Sequence, residues 1–371
     1  MTDTAAPADS APDHAPDHAH VQTLTQDGPT VRLFLVDGSA YLFRAYHALP
    51  PLTRKSDGLP VGAVQGFCNM LWKLLRDMQG DAPTHLAVIW DHAEKTFRND
   101  LYDKYKAHRP PAPEDLIPQF ALVREATRAF GVPAIELAGY EADDLIAAYA
   151  CKVRDLGGEA VIVSSDKDLM QLIEEPSQES MGVDLYDTMN DRRLGTDYVQ
   201  EKFGVGPDRL GDLLALMGDS VDNVPGVPGI GPKTAAKLLI EHGDLEGVLT
   251  AAPDMKKSKM KENLLEHTEN ARLSRVLVTL KEDCAIPEPL EDFALKGIPE
   301  APLREFLEHH GFGSLLKRVG QVTGSQSKGS YGAKPMLGHS ADTPPRPQGA
   351  ATLPAMPKID TSGYVCITQI D

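Results

Sequence analysis

Three carboxylates stand within four residues at Glu141-Ala142-Asp143-Asp144. Glu141 and Asp144 are three residues apart, so a helix that starts here puts them one turn apart on one face, with Asp143 beside them. Acids at a helix start also oppose the positive end of the helix dipole, and this alone explains most strings of this kind. The string therefore predicts chemistry only if other acids converge on it.

Other acids follow apolar runs at 31–36, 85–90 and 160–165, which are typical of buried strands. Helical patterns separate these runs, and this alternation predicts βαβ units and a largely parallel sheet. The carboxyl ends of parallel strands share one edge, where such sheets bind their ligands. We expect seven acids at that edge: Asp37, Asp91, Glu141, Asp143, Asp144, Asp166 and Asp168.

From about residue 206 the pattern becomes mostly helical. Asp219 and Asp222 have the spacing of two carboxylates on one helical face. The glycine-rich stretch 226–231 then precedes a helix that Pro232 suits as a first-turn residue. Further helices are predicted near 262–281 and 301–318.

These nine acids predict a divalent-cation site. Like charges a few ångströms apart cannot all stay ionised unless cations lie between them. Carboxylates without clustered His or Cys favour Mg²⁺ or Mn²⁺ over zinc. Two such ions can clamp the attacking and leaving oxygens of a phosphodiester, so phosphodiester hydrolysis fits best. The nine acids exceed what two ions ligate directly, and some are expected to act through bound water.

Two stretches are suited to nucleic acid. Closely spaced glycines before a helix let backbone N–H groups approach a phosphate, although a plain turn between helices is the simpler alternative. Residues 95–109 interleave basic and aromatic side chains, as a single-strand contact would, and a solvated amphipathic helix is the alternative. The DNA-binding residues predicted from these stretches are Gly226, Gly229, Gly231, Lys233, Thr234, Arg98 and Lys104.

Composition indicates a globular intracellular protein. The 371 residues are 42% hydrophobic and long enough for two domains, and no segment has the length and apolarity of a membrane span or signal peptide. Four scattered cysteines exclude a disulfide framework and a cysteine zinc site. The net charge of −17 is concentrated in the first thirty residues and the nine acids, so it does not exclude a nucleic-acid partner.

The segments that we predict are a disordered tail at 1–30, an α/β catalytic domain at 31–205, a helical DNA-binding subdomain at 206–320 and a flexible linker at 321–358. Residues 359–371 resemble the first strand of a further domain that is cut short, and a frayed terminus explains them equally well.

The motifs together resemble the 5′ nuclease family, specifically the amino-terminal 5′→3′ exonuclease domain of bacterial DNA polymerase I. The resemblance runs from about 31 to 320 in family order. The motifs that carry it are VDGS at 36–39, YLFRAYHALP at 41–50, KTFRNDLYDKYKAHRPP at 95–111, EADD at 141–144, SDKDL at 165–169 and LMGDSVDNVPGVPGIGPKT at 216–234.

The resemblance implies a PIN-like α/β fold with a mostly parallel central sheet, flanked by helices, and an appended helix-hairpin-helix-type subdomain. It implies a structure-selective nuclease that acts on 5′ ends, flaps, nicks and RNA primers in replication and repair. The nine acids match the family's binding residues for two Mg²⁺ or Mn²⁺ ions. Tyr105, Lys106 and Arg109 match an arch near 92–115 through which a free 5′ strand passes, and Arg44 matches a basic residue near the active site.

The same resemblance implies a monovalent cation such as K⁺ at the glycine turn, a monomer, and a cytoplasmic, nucleoid-associated location. Polymerase domains would follow in cis if the chain is a fragment, and a free-standing nuclease is the other reading. A PIN-type RNase remains an alternative, and so does a non-catalytic DNA-binding module. An aspartyl-nucleophile phosphatase is disfavoured because Asp37 is followed by Gly38-Ser39 and lacks a D-x-D pair.

Overall fold

The structure is a computed structural model that describes residues 30–77, 82–92 and 95–326. The described residues up to Gly324 belong to one compact unit, and all of their strands lie in it. The strands are β1 (Arg32–Asp37), β2 (His85–Ile89), β3 (Ala134–Ile135), β4 (Glu159–Val163), β5 (Val183–Asp187) and β6 (Arg192–Leu194).

Thirteen α-helices lie within the described residues, together with 3-10 turns at Leu169–Leu172, Ala252–Asp254 and Leu290–Phe293. The helices are α1 (Gly38–Ala48), α2 (Gly62–Asp77), α3 (Phe97–Leu101), α4 (Gln119–Ala129), α5 (Ala142–Asp155), α6 (Thr196–Phe203), α7 (Pro207–Met217), α8 (Pro232–His242), α9 (Leu245–Ala251), α10 (Lys259–Glu266), α11 (Thr268–Val278), α12 (Glu300–His310) and α13 (Gly313–Gln326).

The six strands form one sheet in the order β3-β2-β1-β4-β5-β6. All neighbouring pairs are parallel except β5 and β6, which are antiparallel. The strand order changes direction between β1 and β4, and the carboxyl end of that junction is where open sheets bind ligands. This confirms the predicted α/β fold with a mostly parallel sheet.

Both faces of the sheet are buried, because side chains alternate between two apolar clusters along each central strand. In β1, Leu33 and Leu35 join one cluster, and Phe34 and Val36 join the other. The first cluster contains α5 and the helices α7–α11, and the second contains α1, α2 and α4. The helical part therefore shares a continuous core with one face of the sheet.

The last helices pack elsewhere than the predicted segments suggest. Leu303, Leu307 and Leu315, on α12 and α13, belong to the second cluster, on the face opposite α7. Helix α13 also runs to Gln326, into the segment predicted as a linker. The predicted tail, and the linker and terminal segment beyond Gln326, lie outside the described residues, and the predicted boundary at 205 stays a prediction.

The helical structure predicted near 262–281 consists of two helices that meet at His267, whose backbone departs from helical geometry (φ −108°, ψ 23°). One local prediction was wrong. Asp219 and Asp222 lie on a turn and not on a helical face. Hydrogen bonds between the backbones of Asp219 and Val224 (3.0 and 2.7 Å) close that turn, and Asn223 has a positive φ of 58°.

Among the described residues, no helix has both the length and the apolar character needed to cross a membrane.

Helix α12 is attached to the loop after α1 by a polar cluster. Arg54 contacts His309 Nε2 at 2.9 Å and His310 Nδ1 at 3.3 Å, and it forms an ion pair with Asp57. His310 is buried. The pKa of His310 is lowered to about 4, chiefly by burial and also by the charges of His309 and Arg54, while Asp57 opposes them.

This cluster predicts acid sensitivity. The unfolded-state pKa of histidine is about 6.5. Because the folded-state pKa is lower, the contribution of His310 to stability is present above about 6.5 and is lost as the pH falls through about 4. Between pH 6.5 and 4, we expect the unfolding free energy of His310→Gln to decrease by about 1–3 kcal/mol less than that of the unsubstituted protein. Urea denaturation across that range measures it, with the exposed His47→Gln as control; parallel pH profiles would contradict the expectation.

Candidate active site

Asp37 ends β1 and caps helix α1. Its carboxylate accepts hydrogen bonds from the Ala40 N–H (2.9 Å) and from Ser164 Oγ (3.1 Å), which follows the neighbouring strand β4. The pKa of Asp37 is raised to about 6: burial and the charges of Asp91 and Asp166 raise it, and the hydrogen bonds from Ala40 and Ser164 oppose them. This edge of the sheet therefore holds carboxylates close enough to repel one another.

The close approach of β2 to α1 requires a glycine after Asp37. A Cβ at Gly38 would lie 2.6 Å from the ring of Trp90, which follows β2 and is buried. The next residue, Asp91, accepts hydrogen bonds from Ser39 Oγ (2.7 Å) and from the Ala142 N–H (2.9 Å). Asp91 thus connects the starts of α1 and α5 at the sheet edge.

The Glu141–Asp144 string begins helix α5, as predicted, and its acids divide into two environments. Glu141 precedes the helix, and its side chain forms an ion pair with Lys106 Nζ at 2.6 Å. Burial raises the pKa of Asp143 well above its usual value, and the charges of Asp166 and Asp37 raise it further. Asp143 therefore belongs with the acids at the ends of β1 and β4.

The turn after β4 contributes Asp166 and Asp168. Asp166 accepts a hydrogen bond from the Asp168 N–H at 2.8 Å. The pKa of Asp168 is raised to about 7, mainly by burial and also by the charge of Asp166, while the charge of Lys167 opposes them. Among the described residues, the buried Oδ1 atom of Asp168 has no hydrogen-bond partner. Lys167 Nζ lies 3.6 Å from it, beyond hydrogen-bond distance. A buried carboxylate oxygen without a hydrogen bond is costly, and a bound cation would satisfy it.

The helical part adds Asp219 and Asp222, whose charges act on Asp168. Asp222 forms an ion pair with Arg109 and lies 3.6 Å from Lys106 Nζ. The Lys106 N–H also donates to the backbone oxygen of Asp222 at 3.0 Å. The 218–224 turn is therefore attached directly to the segment predicted as the arch.

Tyr105, Lys106 and Arg109, which the resemblance matched to an arch, lie against the acids. The Tyr105 hydroxyl is 3.1 Å from Glu141 Oε2 and 3.4 Å from Asp222 Oδ2, so it joins acids of the two parts of the fold. Although burial opposes it, the charges of Glu141 and Asp222 raise the pKa of Lys106. Lys106 has a positive φ of 55°, a strained value for a residue with a side chain, which its contacts with both acids hold in place.

Asp144 and Arg98 do not lie where their predicted roles require. Both side chains are buried and form a bidentate ion pair with two 2.7 Å hydrogen bonds. Asp144 also accepts from the N–H groups of Glu141 (3.1 Å) and Lys281 (2.9 Å), so its acceptor positions are taken. Arg98, which was predicted to bind DNA, is 1% exposed and cannot reach a ligand on the surface.

The Arg98–Asp144 ion pair instead joins distant segments. Arg98 donates to the backbone oxygens of Leu277 (2.8 Å) and Thr279 (2.9 Å) at the end of α11. The pair therefore ties α3, the start of α5 and the helical part together behind the acids at the sheet edge. We interpret Asp144 as a support for Glu141 and Asp143 and not as a direct metal ligand.

Only part of the glycine turn is accessible to a ligand. Gly226 is buried, and its N–H already donates to Ser274 Oγ at 2.9 Å, so it is not available to a phosphate. A Cβ at Gly226 would lie 2.4 Å from Gly218 N, which explains the glycine by packing. By contrast, Gly229, Gly231 and Lys233 are exposed around the start of α8, and Thr234 is half-buried.

The remaining predicted residues flank the acids. Arg44 donates to Thr188 Oγ1 (2.7 Å) and to Ser165 Oγ (3.3 Å), beside the turn after β4. Lys104 is exposed, and its backbone oxygen accepts from Asn223 Nδ2 at 2.7 Å.

Sequence reasoning missed Lys167, which forms an ion pair with Asp219 and lies 3.6 Å from Asp168 Oδ1. Although burial opposes it, the charge of Asp168 and the contact with Asp219 raise the pKa of Lys167. The signal in the sequence was its place between two predicted metal-binding acids, in Asp166-Lys167-Asp168.

The site fits a hard divalent cation by the chemistry of its donors. All the acids offer oxygen, three have raised pKa values, and one buried oxygen accepts no hydrogen bond within the described residues. Within the described ranges, no three acidic, histidine or cysteine side chains are already gathered tightly enough to hold one ion. Protein cations instead stand between several of the carboxylates.

An acid-lined parallel sheet with a helical part closing one side defines an α/β nuclease class of fold. The chain belongs to the 5′-3′ exonuclease family. It matches the family described as 5′-3′ exonuclease, N-terminal resolvase-like domain over residues 32–204, and the one described as 5′-3′ exonuclease, C-terminal SAM fold over residues 205–301. The resemblance found in the sequence, including its appended helical subdomain, is thereby confirmed.

Named relatives agree with that family. A DNA polymerase I of Rhizobium leguminosarum is 55% identical over 294 residues, which are 78% of this chain and 28% of that protein. The chain thus spans less than a third of that polymerase. A 5′-3′ exonuclease of Aquifex aeolicus (strain VF5) is 38% identical over 290 residues, 78% of this chain and 96% of that protein.

Among solved structures, the bacteriophage T5 flap endonuclease in a pseudo-enzyme-product complex with DNA and metal ions is similar in fold. The TM-score is 0.55 at 20% identity, over 80% of this chain and 100% of that one.

We expect loss of either partner of the Arg98–Asp144 pair to destabilise the fold by about 3–5 kcal/mol, because the other charge is left buried and unpaired. Arg98→Met and Asp144→Asn, measured by guanidinium denaturation, check this. Arg272→Met, which breaks an exposed ion pair with Glu246, is the control and costs less than about 1 kcal/mol. If Asp144→Asn kept full stability but lost Mg²⁺ affinity, Asp144 would be a metal ligand after all.

Proposed function

We propose that this chain is a divalent-cation-dependent, structure-selective 5′→3′ exonuclease and 5′-flap endonuclease that hydrolyses DNA phosphodiesters by a two-metal mechanism. Its substrates would be 5′ flaps, nicks and RNA primers in replication and repair. We further propose that it is the 5′ nuclease part of a DNA polymerase I, with polymerase domains in cis. A monomer associated with the nucleoid is part of the same proposal.

The observation that carries this proposal is the position of Lys106. Its Nζ atom lies 2.6 Å from Glu141 at the sheet edge and 3.6 Å from Asp222 of the helical part. This cation therefore faces acids from both halves of the site. A scissile phosphate is the anion that such a mixed site would take, since it is attracted by cations and held by metal ions.

Two magnesium or manganese ions, when bound, would supply the nucleophilic hydroxide and stabilise the leaving oxygen. Asp37, Asp143 and Asp166 would hold one side of the cation site, and Asp168, Asp219 and Asp222 the other. Asp91 and Glu141 would orient the start of α5 and act through bound water. The metal ions named with the T5 flap endonuclease structure support this proposal.

The arch residues would then act on the substrate. Lys106 and Arg109 would leave their ion pairs with Glu141 and Asp222 and stabilise the charge that develops on the phosphate. Tyr105, held between the same two acids, would keep the arch segment in register with the site. Arg44 would contact the DNA backbone beside the turn that follows β4.

Duplex DNA would be held at the exposed part of the glycine turn. Gly229 and Gly231 surround the amino-terminal end of α8, where backbone N–H groups and the helix dipole favour a phosphate. Lys233 adds a positive charge, and Thr234 a hydroxyl. Lys104, exposed on the arch segment, would contact the displaced strand. A monovalent cation at the glycine turn stays a prediction.

We expect Asp143→Asn to abolish Mg²⁺-dependent cleavage of a 5′-labelled flap substrate but to leave DNA binding in Ca²⁺ largely intact. The substitution removes the charge that holds a cation and leaves the DNA-binding surfaces unchanged. Asp155→Asn, at the other end of the same helix, is the matched control and should cleave normally. Retained cleavage by Asp143→Asn would contradict the proposed function. Faster cleavage of single-stranded RNA than of the flap would favour a PIN-type RNase.

We expect Lys233→Met to weaken duplex binding and to reduce the slope of log affinity against log salt by about 1, because one phosphate contact is lost. Fluorescence anisotropy with a nicked duplex in Ca²⁺ measures both quantities. Lys317→Met, at an exposed lysine of α13, is the control. An unchanged salt slope would place the duplex on another surface.

A further inference from the structure

Lys167 lies at the junction between the sheet and the helical part. It stands in the turn after β4, forms an ion pair with Asp219 of the 218–224 turn, and lies 3.6 Å from Asp168 Oδ1. Its side chain is 31% exposed, so it is neither a free surface lysine nor a fully buried one. Lys167 therefore joins two acids that come from different parts of the fold.

Its role differs from that of the arch cations. Lys106 and Arg109 belong to a segment that contacts the acids from outside the sheet, whereas Lys167 is part of the strand-end turn that carries Asp166 and Asp168. The turn is short and its backbone is hydrogen bonded, with the Asp168 N–H donating to Asp166 Oδ1 at 2.8 Å. The lysine consequently stays near these carboxylates whatever the arch does.

We infer that Lys167 is a positioning residue that sets the separation between Asp168 and Asp219. It thereby sets how tightly these two carboxylates hold a divalent cation. The inference rests on the proposed function, because it takes both acids as part of the metal site. A positive charge between two carboxylates attracts them together and repels an incoming divalent ion. Cation binding must then compete with the lysine, which moderates the affinity for the metal.

The same contact holds the fold together. Within the described part of the chain, Lys167 supplies the ion pair between Asp219 and the turn after β4. Without it, Asp168, Asp219 and Asp222 repel one another with one positive charge fewer. Removing the lysine should therefore lower the stability of the protein when no divalent ion is present. It should also strengthen the binding of a divalent ion when one is added. These two effects have opposite signs, which a merely structural lysine would not produce.

The test is Lys167→Met in the full chain, with Mg²⁺ binding measured by isothermal titration calorimetry at fixed ionic strength. We expect the dissociation constant for Mg²⁺ to fall by about tenfold or more, since one positive charge near a divalent ion is removed. The melting temperature in EDTA should decrease, and the rise on adding Mg²⁺ should be larger than in the unsubstituted protein. The Mg²⁺ concentration for half-maximal flap cleavage should fall in parallel.

Two controls isolate the charge at this place. Lys167→Arg keeps the positive charge, and its Mg²⁺ affinity should stay within about twofold of the unsubstituted protein. Lys296→Met removes the same charge from an exposed position and should leave Mg²⁺ affinity unchanged. Should Lys167→Met fail to fold, Lys167→Gln tests the same expectation with a polar side chain.

Unchanged or weaker Mg²⁺ binding by the neutral variants would overturn this inference alone, provided that Asp168→Asn and Asp219→Asn still weaken binding. If the unsubstituted protein bound no Mg²⁺, or if neither asparagine variant weakened its binding, the metal site of the proposed function would fall and the inference with it. Normal Mg²⁺ affinity with lost cleavage in Lys167→Met would make Lys167 a substrate-contacting residue and overturn its positioning role.

Discussion

Repulsion between carboxylates at one edge of the sheet is the constraint around which this protein is arranged. Burial and mutual repulsion raise the pKa values of Asp37, Asp143 and Asp168, so these groups are held against their own electrostatic preference. Folding tolerates this because the apolar clusters on both faces of the sheet fix the strand ends. A site strained in this way has a built-in affinity for cations, which is what binding of hard divalent ions requires.

The protein's own cations offset part of the repulsion between the carboxylates, and these cations differ in how deeply they are buried. Arg98 is buried and permanently paired, so it supports the fold behind the site. Lys106 and Arg109 face the acids from the predicted arch and remain partly accessible to solvent. The buried cation is thus suited to a structural role, whereas the partly exposed cations can exchange a carboxylate for another anion.

The helical part is integral to the site and not an independent attachment. It supplies Asp219 and Asp222, it receives the Lys106 N–H on the backbone oxygen of Asp222, and it anchors Arg98 through the end of α11. A displacement of the helices would therefore change the carboxylate spacing at the sheet edge. The acids and the helical part thus depend on the same 218–224 turn, and the duplex binding proposed for the helical part would act on the acids through it.

The strands and most of the site were predictable because their signals are local. Apolar runs followed by acids indicate parallel strands that deliver carboxylates to one edge, and β1, β2 and β4 follow this pattern. The β5–β6 hairpin, the short helix α3 and the break at His267 were not predicted, because their patterns are brief or continuous with their neighbours. The three-residue spacing of Asp219 and Asp222 was read as helical, but a turn brings residues three apart together as well.

The sequence by itself determined the residue types, the spacing of the acids and the order of the motifs, and these were enough to predict an α/β nuclease with a cation site. Only the tertiary structure decided which charged groups face that site. Asp143 and Asp144 are adjacent, yet one lies among the acids and the other is buried against Arg98. The reason is that the spacing of residues in the sequence reflects the repeat of a local helix or strand. The environment of a charge depends instead on partners far away in the chain, such as Lys281 for Asp144 and Asp219 for Lys167.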